Sequence, residues 1–208
     1  MSEIARLLTV YAVYLLAAMA PGPAVFYVMR TAISSRRRGL RAAWGVATGT
    51  AIWVCVAAFG LSVALKNCPL TARAVRALGG AVFLHMCWRL GRVAASPAAP
   101  EEGTDFSPRS LWSAYSHGVA VNTTNPATAF FFAGLLGLYQ VEQMPAWAQI
   151  AAYAGIVVLS VGWYSSVALV FSHPRLARAY LRLRRPPDAI LAVLFLALAI
   201  ELLRSALG

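Results

Sequence analysis

Long apolar runs dominate the chain, and their lengths predict its helices. A helix needs roughly 20 predominantly apolar residues to cross the hydrocarbon core of a membrane. The four runs that exceed this length are Leu7–Met29, Ala42–Leu65, Ser110–Val141 and Met144–Pro174. Two further runs, Leu70–Arg92 and Ala189–Leu203, are short or charged near their ends, and they span only if those side chains reach the interfaces. The pattern therefore predicts an all-α integral membrane protein with six transmembrane helices.

Proline interrupts two of the long runs. One break is Ala20-Pro21-Gly22-Pro23 and the other is Asn122-Thr123-Thr124-Asn125-Pro126. Proline removes a backbone donor and ends or kinks a helix, and a freed carbonyl is tolerated in lipid only beside protein or a water-filled cavity. Two interrupted spans at matching places are typical of a transporter's binding site. The candidate substrate-binding residues at the breaks are Pro21, Gly22, Pro23, Asn122, Thr123, Thr124, Asn125 and Pro126.

The chemistry of a broken helix suits a zwitterion. The helix that resumes after a break presents free N–H groups and a positive dipole end, which favour a carboxylate. The carbonyls that proline frees, including that of Asn122, favour an ammonium group. Trp163, Tyr164 and Phe130–Phe132 are candidates for an apolar side-chain pocket, with lipid-facing or packing roles as the open alternative. The breaks thus predict an amino-acid site.

A polar segment, residues 94–110, divides the chain. It is rich in Ala, Pro, Ser and Gly and is expected to be a flexible cytoplasmic linker. A single transporter domain, residues 1–208, would then consist of a three-helix half at 1–93 and another at 111–208. Because each half crosses the membrane an odd number of times, the halves would enter from opposite sides. We therefore predict two inverted three-helix halves with helices one and four broken.

Composition and charge exclude most soluble classes and set the orientation. The chain is 60% hydrophobic and 12% charged, with a mean hydropathy of +0.67 and a net charge of +11, whereas soluble domains carry about 25% charged residues. Most arginines lie between predicted spans one and two, three and four, and five and six. The positive-inside rule places these segments in the cytoplasm and both termini outside. Anionic lipid headgroups are the expected partners, and no soluble domain is left to bind nucleic acid.

These motifs resemble the lysine exporter (LysE/RhtB) family of bacterial amino-acid exporters. The resemblance covers Ala20–Pro23, the arginine-bearing loop Ser34–Gly39, the second-helix segment Gly45–Gly49, and Asn125-Pro126 followed by Phe130–Phe132. It implies a six-helix secondary exporter in the bacterial inner membrane, driven by the proton motive force, and it adds Thr48 to the candidate substrate-binding residues. Gly45 and Gly49 fit a helix-packing GxxxG motif equally well. A homodimer is a candidate assembly.

The charge of the predicted spans bears on the substrate and on the proton. No Asp or Glu lies centrally in any span, and members of the family often carry an aspartate near the place of Thr50. A cationic substrate would gain from a fixed carboxylate, so we predict a small neutral amino acid or a close derivative. Proton coupling requires a titratable group within the membrane, and the candidates are His85 and Glu201.

Other functional classes fit the sequence less well. His85, His117 and His173 lie on separate spans without a metal-binding spacing, so we predict no enzyme activity, no metal site and no cofactor. An accessory or scaffold membrane subunit would have no use for polar breaks that are costly in lipid. A membrane channel remains the alternative, because broken helices also line pores.

Cysteine accessibility tests the predicted orientation. In a variant with Cys55, Cys68 and Cys87 replaced by serine, single cysteines within Ser34–Gly39 should react with a membrane-impermeant maleimide only from the cytoplasmic side. A cysteine at Ser2 should react from outside intact cells and serves as the control. Labelling of the Ser34–Gly39 positions from outside would overturn the topology.

Overall fold

The fold is helical throughout the part of the chain that the structure describes. The structure, a computed structural model, describes residues 2–20, 22–67 and 108–173, together with isolated helical positions within 77–92 and 193–204. The helices are α1 (Glu3–Met19), α2 (Pro23–Ser34), α3 (Arg36–Asn67), α4 (Leu111–Thr123), α5 (Pro126–Leu138) and α6 (Ala146–Phe171), with a 3₁₀ turn at Val141–Gln143 between the last two. These ranges contain no strand, as the apolar runs predict.

Several helices are suited to a membrane by length and composition. α3 over Arg36–Phe59 and the whole of α6 are each long and apolar enough to cross one. α1 and α2 make a third span if they are counted as one helix bent by 59°. The predicted third and sixth helices lie largely outside the described residues, as does most of the linker at 94–110. The observed helices indicate a membrane protein.

Both proline breaks separate one helix from the next. α1 ends at Met19 and Pro23 opens α2, while α4 ends at Thr123 and Pro126 opens α5. Proline suits the first position of a helix, because the N–H it lacks would have had no partner there and its φ angle is already helical. Each interruption is therefore a helix end followed by a helix start, not a bend in a continuous helix.

The prediction of an arginine-bearing loop at Ser34–Gly39 is wrong. Only Ser35 lies between α2 and α3, in an extended conformation with its N–H donated to the carbonyl of Thr31. The arginines from Arg36 onward form the first turn of α3, which their high helix propensity allows. Gly39 makes this tight reversal possible, because a Cβ atom there would lie 2.6 Å from the Cα of Ala32.

Glycines bring α3 and α4 into close contact. A Cβ atom on Gly45 would overlap the backbone carbonyl of Tyr115, and one on Gly118 would lie 2.5 Å from the carbonyl oxygen of Ala42. Gly49 has the same role, since its Cβ would lie 2.7 Å from the Cβ of Asn122. The Gly45–Gly49 motif therefore serves helix packing, the alternative that the sequence left open.

Two apolar clusters hold the helices together. The larger joins α1, α3, α5 and α6 around residues such as Val10, Phe132 and Ile156, which are almost fully buried. The smaller joins α2, α3 and α6 around Val28. Trp163 of α6 packs against both clusters. The two helix breaks therefore lie within the packed part of the molecule.

The α3–α4 contact can be tested by adding single methyl groups. We expect Gly45→Ala to destabilise the protein by about 1–3 kcal/mol, because the methyl group meets a backbone carbonyl that cannot rotate away. Gly162→Ala on α6 is the control: nothing lies within 4 Å of its Cβ position, so helix propensity alone should stabilise it, by about 1 kcal/mol or less. Thermal unfolding in detergent measures both. Equal midpoints for the two variants would contradict the packing.

Candidate functional site

A cavity of about 110 Å³ lies where the two breaks meet. Gly22 and Pro23 line it from the first break, and Asn122 and Asn125 line it from the second. The other lining residues that carry polar or aromatic side chains are Tyr14, Thr50, His85, Thr128, Phe131, Phe132 and Tyr164. Breaks that lie about a hundred residues apart in the sequence thus line one cavity.

A buried cluster of polar side chains lies at one wall of the cavity, which Tyr14, Thr50 and Asn122 line and Ser160 does not. The Asn122 side chain is 4% exposed, and its Nδ2 donates to the Val46 carbonyl at 2.7 Å and to the Thr50 hydroxyl at 2.9 Å. The Ser160 hydroxyl also donates to Thr50, at 3.2 Å. The Tyr14 hydroxyl is hydrogen-bonded to the hydroxyls of both Thr50 and Ser160. These groups come from α1, α3, α4 and α6, and their mutual pairing satisfies polar atoms that burial would otherwise destabilise.

The two helices that restart after the breaks begin differently. Asn125 accepts the N–H of Ala127 with its own side-chain oxygen at 3.1 Å, so α5 is capped from within. Gly22 stands at the same place before α2 and has no side chain with which to cap it. Ala24 and Val25, in the first turn of α2, line the cavity. The start of α2 therefore offers its backbone donors to whatever occupies the cavity.

Two tryptophans donate to backbone carbonyls at the ends of the broken helices. The indole Nε1 of Trp53 donates to the carbonyl of Asn122 at 3.1 Å. The indole Nε1 of Trp163 donates to the carbonyl of Ala18 at 2.9 Å. The Asn122 carbonyl, which the sequence offers to a substrate ammonium group, thus already has a donor. Trp163 therefore contacts the helix end before the first break but is not among the residues that line the cavity.

Of the remaining predicted substrate-binding residues, some line the cavity and others do not. Tyr164 is buried and lines the cavity. Thr123 and Thr124 donate their hydroxyls to the carbonyls of Val119 and Ala120 in the preceding turn, and Thr48 is bonded to Trp44 and Tyr115. None of these three threonines is in the lining. Pro126 opens α5, whereas Pro21 and Glu201 lie outside the described residues.

His85 and three buried hydroxyl groups also lie at or beside the cavity. His85 lines the cavity, with its ring 5.8 Å from that of Trp88. Tyr14, Thr50 and Ser160 were not singled out as binding residues from the sequence. Their only signal is a hydroxyl within a long apolar run, which many residues that merely pack also show. Their common location depends on helix contacts.

The cavity lining that the structure describes includes a histidine but no Asp, Glu, Lys or Arg. One wall of the cavity is apolar through Phe131 and Phe132. Nor do the described parts of the chain bring together His, Cys, Asp or Glu side chains in a group that could hold a metal ion. The arrangement suits a small molecule that has both polar and apolar parts and no net charge.

Comparisons with known proteins agree with the sequence motifs and with a membrane location. The family model of the LysE type translocator matches residues 15–206. The chain is 29% identical to the threonine efflux protein of Escherichia coli K12 over 95% of this chain and 97% of that protein. It is 30% identical to the uncharacterized membrane protein YahN of the same strain, over 88% and 82% respectively.

A more partial similarity involves the leucine efflux protein of Klebsiella pneumoniae, which is 27% identical over 59% of each chain. No solved structure matches the chain. The family match covers nearly the whole chain and includes both breaks, so the resemblance noted in the sequence motifs is confirmed. The chain belongs to the LysE type translocator family.

Proposed function

We propose that this protein is a secondary exporter of small neutral amino acids or close derivatives in the bacterial inner membrane, driven by the proton motive force. The observation that carries the proposal is the cavity between the two helix breaks, whose described lining includes no Asp, Glu, Lys or Arg. It has a polar wall at Asn122 and an apolar wall at Phe131 and Phe132. Relatives named for the efflux of threonine and of leucine support amino-acid export.

The amino acid lies between the two restarted helices in this proposal. Its carboxylate binds the first turn of α2, where Gly22 leaves the backbone donors uncapped. Its ammonium group faces the oxygens of Tyr14 and Asn122, because a side-chain amide oxygen and a phenol oxygen both accept hydrogen bonds. Its side chain packs against Phe131 and Phe132. The lack of a carboxylate in the described lining disfavours lysine and arginine.

In this proposal the exporter is an inverted repeat, and equivalent helices contact each other. The Tyr11 side chain of α1 lies against Gly155 of α6, while the Tyr115 backbone carbonyl of α4 lies against Gly45 of α3. Each tyrosine lies about two turns before the end of the helix that precedes a break. In each case the first helix of one half contacts the long helix of the other half. A twofold axis between the halves in the membrane plane would produce this exchange.

The coupling proton is carried by His85 in this scheme, because His85 is the one histidine among the described lining residues and an imidazole can both accept and donate a proton. Glu201 stays the second candidate. The arginine-rich start of α3 faces the cytoplasm and anionic lipids in this proposal. A homodimer stays a predicted assembly.

Counterflow in proteoliposomes tests the function. Vesicles that contain the purified protein and are preloaded with unlabelled threonine or leucine should take up the same labelled amino acid transiently. Lysine and glutamate should exchange more slowly by a factor of about ten or greater. Burying a charge without a partner raises the free energy of the bound state. Exchange of lysine alone would refute the neutral-substrate proposal. Uptake without acceleration by preloading would favour a channel.

The same assay tests the site through a matched pair of helix caps. Asn125→Ala and Ser110→Ala each remove a side chain that accepts a backbone N–H at a helix start, so each should cost about 1 kcal/mol of stability. Only Asn125 lines the cavity, and only Asn125→Ala should lower exchange, by about tenfold or more. Equal rates for the two variants at equal protein levels would remove Asn125 from the site.

Proton coupling is tested at His85. His85→Gln should abolish the acceleration of efflux by an imposed pH gradient while exchange of threonine at equal pH continues, since exchange needs no net proton transfer. His173→Gln, at an exposed histidine after the end of α6, is the control and should keep the acceleration. A normal response of His85→Gln to the gradient would exclude His85 as the carrier.

A further inference from the structure

The two tryptophan hydrogen bonds at the breaks are reciprocal. Trp53 belongs to α3 and donates to the break between α4 and α5, whereas Trp163 belongs to α6 and donates to the break between α1 and α2. The acceptors are equivalent, because Ala18 and Asn122 are each the second-to-last residue of the helix before a break. Each half of the chain therefore supplies the donor for the other half's break.

The chemistry of these bonds explains why tryptophan is suited to the position. The last carbonyls of a helix have no partner within it, and in a membrane such a group must find a donor in the protein. An indole N–H donates and cannot accept, and its ring is large enough to reach a backbone from a neighbouring helix. Phenylalanine would fill the same space without making the bond.

A hydrogen bond between the two long helices links the two tryptophans. Trp53 lies one helical turn from Thr50, and Trp163 lies one turn from Ser160. Thr50 and Ser160 are hydrogen-bonded to each other and are 110 positions apart in the sequence. Trp53 and Trp163 have this same separation, so both pairs occupy equivalent positions in the two halves. A continuous path of hydrogen bonds and helix backbone then runs from one break to the other.

We propose that Trp53 and Trp163 are positioning residues that make the two breaks move together during transport. The proposal rests on the proposed exporter function. Each indole ties the end of one half's broken helix to the long helix of the other half, and the Thr50–Ser160 bond ties the long helices to each other. A displacement of either break is thereby transmitted to the other. The indoles do not line the cavity, so they act on the turnover step and not on substrate binding.

Substitution by phenylalanine tests this role, because it removes the N–H and keeps an aromatic ring. Trp53→Phe and Trp163→Phe should each lower the maximal rate of threonine counterflow by about tenfold and leave KM within about threefold of the unsubstituted protein. The double variant should be no slower than the slower single variant, because both bonds belong to one path. Trp147→Phe, at an exposed ring near the start of α6, is the matched control and should transport normally.

The outcomes separate this inference from the function on which it rests. Absence of counterflow by the unsubstituted protein for every neutral amino acid would refute the proposed function. Normal counterflow by both tryptophan variants would refute the positioning role alone, as would a higher KM at an unchanged maximal rate. Multiplicative effects in the double variant would also overturn it, because independent stabilising contacts behave in that way.

Ser160→Ala provides a second route if a tryptophan variant fails to fold. Its hydroxyl is fully buried outside the cavity lining and bonds Thr50 at the centre of the path. The substitution removes one oxygen, and we expect the same pattern of a lower maximal rate with KM unchanged. A rate equal to that of Trp147→Phe would refute the coupling of the breaks.

Discussion

Every backbone polar group inside a membrane must find a partner within the protein, and this requirement shapes the structure around its two helix breaks. A break creates carbonyls without donors on one side and N–H groups without acceptors on the other. Proline at the first position of α2 and of α5 removes one of those N–H groups. Trp53 and Trp163 supply donors to the carbonyl side. The Asn125 side chain caps the start of α5. Gly22 has no side chain, so the start of α2 beside the cavity has no side-chain cap.

Close helix packing is what lets the polar groups reach one another. Gly49 allows α4 to approach α3 so nearly that the Asn122 side chain lies directly against it. At that distance the short amide reaches both the Val46 carbonyl and the Thr50 hydroxyl. A bulkier residue on α3 would push Asn122 away and leave buried groups unpaired, which is destabilising. The glycines therefore support the candidate site although no glycine of the α3–α4 contact lines the cavity.

The sequence was sufficient for features that depend on local chemistry. Apolar run lengths predicted the helices that the structure describes, and proline predicted where α1 and α4 end. The prediction of a loop at Ser34–Gly39 was wrong because arginine also has a high helix propensity. The close packing of Gly39 on Ala32 allows a turn of one residue between α2 and α3.

Features that depend on contacts between distant helices could not be predicted in this way. The Trp163–Ala18 bond joins residues 145 positions apart, and no periodicity records such a pairing. Thr123 and Thr124 illustrate the opposite error, since a polar residue in an apolar helix can satisfy its hydroxyl on the preceding turn without facing a site. Polarity within a span therefore nominates residues, and the helix contacts decide among them.

The difference between the two helix starts has a stereochemical consequence. Two fully equivalent halves would present the same groups at both ends of the cavity, and an amino acid could then bind in either of two directions. Gly22 and Asn125 remove that equivalence, because α5 begins with a side-chain cap and α2 begins without one. In the proposed binding mode the carboxylate is directed to α2, the ammonium group to the polar wall and the side chain to Phe131 and Phe132, so three substituents of the α-carbon would have fixed places. Three fixed places distinguish a molecule from its mirror image, so an exporter with this site would select between L- and D-amino acids.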